Sequence, residues 1–385
     1  MTPAARVQAA IEILDRVQAG EAAEKALTSW GRRARFAGSK DRAAIRDHVF
    51  DVLRMWRSTA TFGGGETGRA RMIGLFRAQN QDPTELFTGQ GHAPMALTDV
   101  EVAAGDAPDG AAALDLPDWL AARFAEDLGE RTHETAEALR TRAPVFVRAN
   151  LLKTDREKAR ARLAEDGVET VPHALAETAL EVTSGARGLI RTDSFTDGWI
   201  ELQDAASQAV VEMIPLGDPT RILDYCAGGG GKSLALAARA PKAELFAHDA
   251  DPGRMSDLPK RALRAGATVT CVARPKGVYD IVMADVPCSG SGAWRRAPEG
   301  KWRLTEARLA ELTDIQADIL TTCAKLVRPG GAMVYATCSL LRAENEAQID
   351  AFLASHTDWR IGPNRGFLPS DGGDGFYAAC LIAPD

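Results

Sequence analysis

Two cysteines stand where a chain can do covalent chemistry. Cys288 lies in "ADVPCSGSGAWRRAPEGKWR" (284–303) and Cys338 in "YATCSLLRAENE" (335–346), each closing an apolar run that reads as a strand. A buried cysteine is usually a small hydrophobe, and Cys226, Cys271, Cys323 and Cys380 take that reading. Cys288 and Cys338 differ because polar chain follows both at once. Carbon 5 of a pyrimidine is a poor nucleophile, but a thiolate added to carbon 6 makes the ring enamine-like and able to attack a sulfonium methyl group. A proton must then leave carbon 5 and the thiolate must be expelled. The reaction needs a nucleophile, a group assisting elimination and an acid polarising the ring near N3. A free cysteine has a pKa of about 8.5, so the nucleophile needs positive charge beside it. A sulfonium, Lys232, Arg295 or Arg296 could supply that charge, and Asp285 is placed in sequence to polarise the base.

A second motif, "DYCAGGGGKS" (224–233), follows the apolar pair Ile222-Leu223. Its Gly-Lys-Ser ending suggests a phosphate loop, with "ADVPC" offering a Walker-B aspartate. A Walker loop starts with glycine, however, and Cys226 holds that position. The competing reading is a nucleoside cofactor site. Asp224 ends one strand, and the glycines let the backbone approach a ligand closely. Asp249, 25 residues on, ends the next strand, where a carboxylate can accept from both ribose hydroxyls. A dehydrogenase would want GxGxxG instead. Taken alone, the stretch does not choose, and Asp249 by itself reads equally as a solvated strand-end residue.

The elements that must position these residues follow from pattern. A chain of 385 residues predicts two or three domains. Residues 1–88 read as helices: Thr2-Pro3 caps the first, and Ile45, Val49, Val52, Leu53 and Trp56 share one buried face. Residues 89–116 are rich in Gly, Pro, Asp and Ala and read as a linker. Residues 117–201 hold two helices (118–128 and 131–141), a strand at "VFVRAN" (145–150), a helix over 154–166 and shorter strands, hence a small α+β module. From 202 to 385 the strands "RILDY", "AELFAH", "YDIVMAD" and "AMVYATC" alternate with helices. That alternation predicts a doubly wound, mostly parallel sheet with its ligands at the carboxyl strand ends.

Composition narrows the class. With 45% hydrophobic and 26% charged residues the chain is globular. No apolar run nears 18 residues and no signal peptide is evident, so a soluble, cytoplasmic protein without membrane contact is expected. The six cysteines make neither a disulfide framework nor a zinc pair, and the scattered histidines offer no metal site. A monomer is the default. The net charge of -7 and pI near 5.6 argue against a strongly basic nucleic-acid binder without excluding a local patch. One such patch runs from Arg32 to Arg57, with eight basic residues against three aspartates. A solvated helix face and an RNA contact are its two readings.

With these residues in view, the sequence resembles the RsmB/NSUN (Sun/Fmu) family of RNA cytosine-5 methyltransferases, in particular the bacterial RsmB type. The family's Cys-Ala-Ala-Pro-Gly-Gly-Lys-Thr motif is met by "CAGGGGKS", with Gly228 and Gly229 in place of Ala and Pro. Asp285, Pro287, Cys288, Ser289, Gly290, Gly292, Arg295, Arg296, Pro298, Lys301 and Trp302 match its Asp-Ala-Pro-Cys motif, and "YATCSLLRAENE" its Thr-Cys-Ser motif. "VRANLLKT" (147–154), "IELQDAASQ" (200–208) and "GGDGFYAACL" (372–381) flank them. The likeness spans about residues 117 to 385. It implies a Rossmann-like S-adenosylmethionine-dependent catalytic domain at 202–385, preceded by an RRM-like module and an N-terminal NusB-like helical domain matched more loosely through "SKDRAAIRDHVFDVLRMWR" (39–57).

The resemblance also implies roles. Cys338 is the nucleophile on carbon 6, Cys288 assists release, and Asp285 and Lys232 are active-site polar residues. The cofactor is held by the loop Cys226, Ala227, Gly228, Gly229, Gly230, Gly231 and Lys232, with Asp249 and Asp285. The expected substrate is a flipped cytosine in looped or single-stranded RNA, 16S ribosomal RNA first, because ring carbons are out of reach in a stacked duplex. One departure stands out. Ala273-Arg274 occupies the place where the family carries an acidic residue near the adenine. With the altered glycine motif, it motivates the alternative of a non-catalytic RNA-binding or ribosome-assembly factor with a degenerate cofactor site.

Overall fold

The computed structural model describes all 385 residues, which form two compact units. One comprises Met1–Arg142 with the segment Trp294–Arg303, and the other Ala143–Ala293 with Leu304–Asp385.

The first unit is helical: α1 (Pro3–Gln18), α2 (Ala23–Arg33), α3 (Ser39–Arg54), α4 (Trp56–Gly63) and α5 (Gly68–Ala78). Thr2 caps α1 by accepting from the Ala5 amide at 3.2 Å. Ile45, Val49, Val52 and Leu53 are buried against Ile13, Leu14, Met72 and Ile73. The predicted face does not run on to Trp56 within one helix. Met55, at φ -116° and ψ 40°, breaks α3, and Trp56 opens α4.

The expected linker 89–116 contains two short helices, α6 (Asp99–Ala103) and α7 (Gly110–Ala113), and its end is fastened. The fully buried Asp115 carboxylate accepts from the Arg57 and Ser58 amides and the Ser58 hydroxyl, and pairs with Arg140 at 2.9 Å. The next two helices, α8 (Asp118–Leu128) and α9 (Thr132–Arg140), cluster with this unit rather than with the strands after them. Segment Trp294–Arg303, carrying α15 (Glu299–Arg303), joins it too. Trp294 stacks on Phe124 at 6.1 Å, and Arg54 Nε donates to the Arg295 carbonyl at 2.8 Å. Lys301 Nζ donates to the Arg54 carbonyl at 3.0 Å and Trp302 Nε1 to the Leu53 carbonyl at 2.7 Å. In the basic stretch, Arg42, Arg46, Arg54 and Arg57 are held by bonds inside this unit, whereas Arg32, Arg33, Arg35 and Lys40 are exposed.

The second unit holds two sheets. Strands β1 (Val145–Ala149), β2 (Thr170–Pro172), β3 (Ala179–Val182) and β4 (Ile200–Leu202) form an antiparallel sheet in the order β2-β3-β1-β4. Helix α10 (Arg156–Glu165) covers one face, packing Ala159 and Leu163 on Val147, Ala149 and Leu180. The alternation of β1 turns Phe146 the other way, into the core of the larger sheet. After α11 (Asp193–Thr196) and α12 (Ala205–Glu212) come β5 (Arg221–Asp224), α13 (Gly231–Arg239), β6 (Glu244–Ala247), α14 (Leu258–Ala265), β7 (Thr270–Cys271) and β8 (Tyr279–Asp285). Helix α16 (Glu306–Ala324), β9 (Val327–Thr337), α17 (Glu346–Ser355), β10 (Arg360–Phe367) and β11 (Phe376–Ile382) complete it.

The seven strands lie in the order β10-β11-β9-β8-β5-β6-β7. Strands β5 to β9 pair parallel, and β11 and β10 add an antiparallel edge. The expected doubly wound, mostly parallel sheet is present. From β5 the chain winds outward to β6 and β7, then returns to β8 on the other side. This reversal opens a crevice at the carboxyl ends of β5 and β8, where such sheets bind ligands.

Candidate active site

The candidate side chains gather at the carboxyl ends of the strands, in the loops after them or in the first turn of α13. Asp285 is the last residue of β8, and Cys338 follows Thr337, the last of β9. Lys232 is the second residue of α13, and its buried Nζ donates to Asp285 Oδ2 at 2.6 Å, 4.9 Å from the centre of the Phe376 ring. Burial pulls the Lys232 ammonium down, but the Asp285 carboxylate outweighs it, aided by Cys338, and holds the lysine above its ordinary value. Of the cations named from sequence, Lys232 belongs to this unit. Arg295 and Arg296 lie on the segment that clusters with the helical unit, Arg295 buried there.

The two cysteines, 50 residues apart in sequence, meet: Cys288 Sγ and Cys338 Sγ are 3.4 Å apart. The bond from Cys338 and then burial push the Cys288 thiol well above its usual range. Backbone approach fixes this pairing. Gly292 N–H donates to the Cys338 carbonyl and Gly375 N–H to the Gly292 carbonyl, both at 2.9 Å. A Cβ on Gly292 would stand 2.0 Å from the Gly375 oxygen, so only glycine fits.

The residues after the cysteines are clamped by one carboxylate to which the sequence pattern assigns no role. Fully buried Glu344 accepts from Ser289 N–H at 2.7 Å, from the Ser289 and Ser339 hydroxyls at 2.5 Å, and from Gln316 Nε2 at 3.1 Å. Gln316 also donates to the Pro287 carbonyl at 2.9 Å. Asn345 holds the other loop, its Oδ1 2.6 Å from Thr337 Oγ1 and its Nδ2 donating to the Ser339 carbonyl at 2.9 Å. The adjacent Glu344-Asn345 within the Thr-Cys-Ser motif was the available signal. Gln316, alone on α16, offered none.

On the other side of the crevice the glycine loop meets Asp249. The Asp249 carboxylate, 2% exposed, accepts from Gly228 N–H at 2.9 Å and from Asp251 N–H at 3.0 Å. Arg254, an exposed side chain, pairs with it at 3.1 Å. Gly230, at φ +81°, turns the chain into α13, and a Cβ there would lie 2.2 Å from Leu258. Cys226, Ala227, Gly228, Gly229 and Gly230 make this turn, and Gly231 opens α13. The Cys226 thiol is held well above its ordinary range by burial. Asp224 faces inward. Its Oδ2 accepts from Ser233 Oγ at 2.5 Å, its Oδ1 has no partner, and burial pushes its carboxyl up to about 7. Ala273 and Arg274, after β7, are exposed.

This arrangement matches known proteins. Residues 212–382 match the family model described as 16S rRNA methyltransferase RsmB/F, and residues 116–187 that of the RsmF/B-like ferredoxin-like domain. Ribosomal RNA small subunit methyltransferase B of Xylella fastidiosa (strain 9a5c) is 35% identical over 287 residues, covering 69% of this chain and 68% of that protein. The chain belongs to the RsmB/F methyltransferase family. A Serratia proteamaculans (strain 568) relative with the same description is 33% identical, the match covering 69% of this chain and 66% of the relative. A solved methyltransferase homolog from Pyrococcus horikoshii shares the fold, with a TM-score of 0.63 and 24% identity over 71% of this chain and 98% of that one.

S-adenosylmethionine is the methyl donor of the RsmB/F family, and the residues present fit it. A buried carboxylate whose one charged partner is an exposed arginine stands beside a loop whose exposed turn carries no side chain. Asp249 would hold the ribose hydroxyls, and the backbone of 226–231 would pass along the nucleoside.

Proposed function

We propose that this protein transfers the methyl group of S-adenosylmethionine to carbon 5 of a cytosine in 16S ribosomal RNA, through a covalent cysteine–cytosine adduct. The observation that carries the reading is the 3.4 Å approach of Cys288 and Cys338 at neighbouring strand ends of this family's fold. Cys338 Sγ forms a bond to carbon 6, and ring electron density moves towards carbon 5. Lys232 supplies positive charge beside Cys338, and Asp285, which accepts a hydrogen bond from Lys232, is the group assigned to the base near N3. The donor, when bound, supplies an electrophilic methyl group. After transfer a base takes the carbon 5 proton, the sulfur–carbon 6 bond breaks, and Cys288 assists that release. The exposed Arg32, Arg33, Arg35 and Lys40 offer phosphate contacts for the RNA.

Bisulfite sequencing of 16S ribosomal RNA from cells with and without the gene tests the product: one protected cytosine should disappear with the gene. Cys338→Ala should abolish transfer, and Cys288→Ala should accumulate a protein–RNA adduct that survives denaturing electrophoresis. Full activity in Cys338→Ala would refute the mechanism. One observation favours a second reading, a non-catalytic RNA-binding assembly factor: Arg254 already engages the carboxylate expected to hold the ribose. Calorimetry with S-adenosylmethionine separates the two, because the assembly factor would give no heat of binding.

A further inference from the structure

The glycine loop is held from outside by two arginines. Arg261, on α14, donates through Nη1 to the Gly229 carbonyl and through Nη2 to Glu201 Oε2 at 3.0 Å. Glu201 lies on β4 of the small sheet, is 2% exposed, and also receives Arg264. Arg148, on β1 and fully buried, donates through Nη1 to Gln203 Oε1 and, at 2.8 Å, to the Gly231 carbonyl. Two carbonyls of one short loop are thus tied to the strand carrying Glu201 and the residue just past its end. Four consecutive glycines lose much conformational freedom when ordered, and Gly229 is exposed, with no acceptor for its N–H within the chain. The family motif has proline at this position, which fixes the backbone through its ring.

We propose that Arg261 is a positioning residue for the donor loop, with Arg148 its second brace, supplying through charged hydrogen bonds the rigidity that a proline at 229 would otherwise give. The planar guanidinium suits the task because one fork spans a carbonyl and a carboxylate at once. The inference rests on the donor-binding reading above. It also ties the small sheet to the donor site, since Glu201 and Gln203 aim the two arginines.

Arg261→Lys keeps a cation near Glu201 but cannot bridge both acceptors, and Arg264 keeps Glu201 paired in every variant, so folding should survive. Hydrogen exchange on the donor-free full chain should show the amides of Gly228 and Gly230 to Ser233 exchanging about tenfold faster in Arg261→Lys. Calorimetry should show S-adenosylmethionine binding weakened about tenfold. Adding Gly229→Pro, whose Cβ would stand 3.1 Å from the Arg261 guanidinium in the wild-type chain but meets no guanidinium once that residue is lysine, should restore slow exchange and tight binding together. Unchanged exchange in Arg261→Lys would overturn the proposal, as would a loosened loop that the proline leaves loose. If the wild-type chain binds no donor, the functional reading fails, and the exchange experiment still decides the brace.

Discussion

At the residue scale, candidates are legible where a residue and its immediate neighbours single it out. Cys288 and Cys338 stand out because polar chain follows each at a predicted strand end, and Lys232 and Asp285 because they match the motifs the sequence resembles. Glu344 does not, despite the Glu344-Asn345 pair, since a glutamate in a polar run reads as solvated until its four donors are seen converging on it. That convergence makes it a sharp target. Glu344→Ala leaves two hydroxyls, an amide and a carboxamide unmatched next to both cysteines, and a displacement of about 1 Å can slow catalysis about a hundredfold. Single-turnover methyl transfer should therefore fall by about that factor while donor affinity measured by calorimetry stays put. Near-normal turnover would show that the cysteines hold their separation without the clamp. The negative charge of Glu344 also helps keep the Cys288 thiol high. In Glu344→Gln, alkylation of Cys288 should accordingly begin at lower pH than in the wild-type chain.

At the element scale, alternation of strand and helix revealed the parallel sheet, while the groupings that depend on distant packing stayed hidden. Helices α8 and α9 read in sequence as the start of the small module. Their packing on the helical unit, Asp115 meeting Arg140 and Phe124 meeting Trp294, is made by contacts no local pattern announces. The root of the glycine loop carries its own pH signature. Asp224 is buried with one unpartnered oxygen, and its folded value of about 7 lies above the ordinary 3.8. The folded chain thus binds more protons than the unfolded one between those values, so this residue's contribution to stability falls as pH rises from about 4 to 7 and stays low above. Asp224→Asn, which keeps an acceptor for Ser233, should flatten that decline. Thermal melts of wild type and variant at pH 5 and pH 8 should differ most at pH 8, with the variant more stable. A wild-type advantage at pH 8 would mean that the buried carboxylate is stabilising.

At the scale of the whole molecule, segment Trp294–Arg303 is the least expected feature, because its sequence continues the Cys288 motif and its packing belongs to the helical unit. Lys301, in its helix α15, is 1% exposed, and burial lowers its ammonium to about 7 against the opposing pull of Asp115. An unfolded lysine titrates near 10.5. Between about pH 7 and 10 the unfolded chain therefore binds more protons, and this residue makes the fold more stable as pH rises. Lys301→Met should remove that rise, so denaturant unfolding of the helical unit at pH 7 and pH 9 should give closer midpoints than in the wild type.

The same segment bears on how such a protein can change over evolution. Modules that end where they begin can be lost, duplicated or recombined with a single cut. Here the helical unit owns ten residues encoded in the middle of the other unit's reading frame. A break after Arg142 would leave Trp294 and Trp302 behind without Phe124 and Leu53 to cover them. The two units are therefore expected to be inherited together, and an excised catalytic fragment would need that decapeptide redesigned before it stayed soluble.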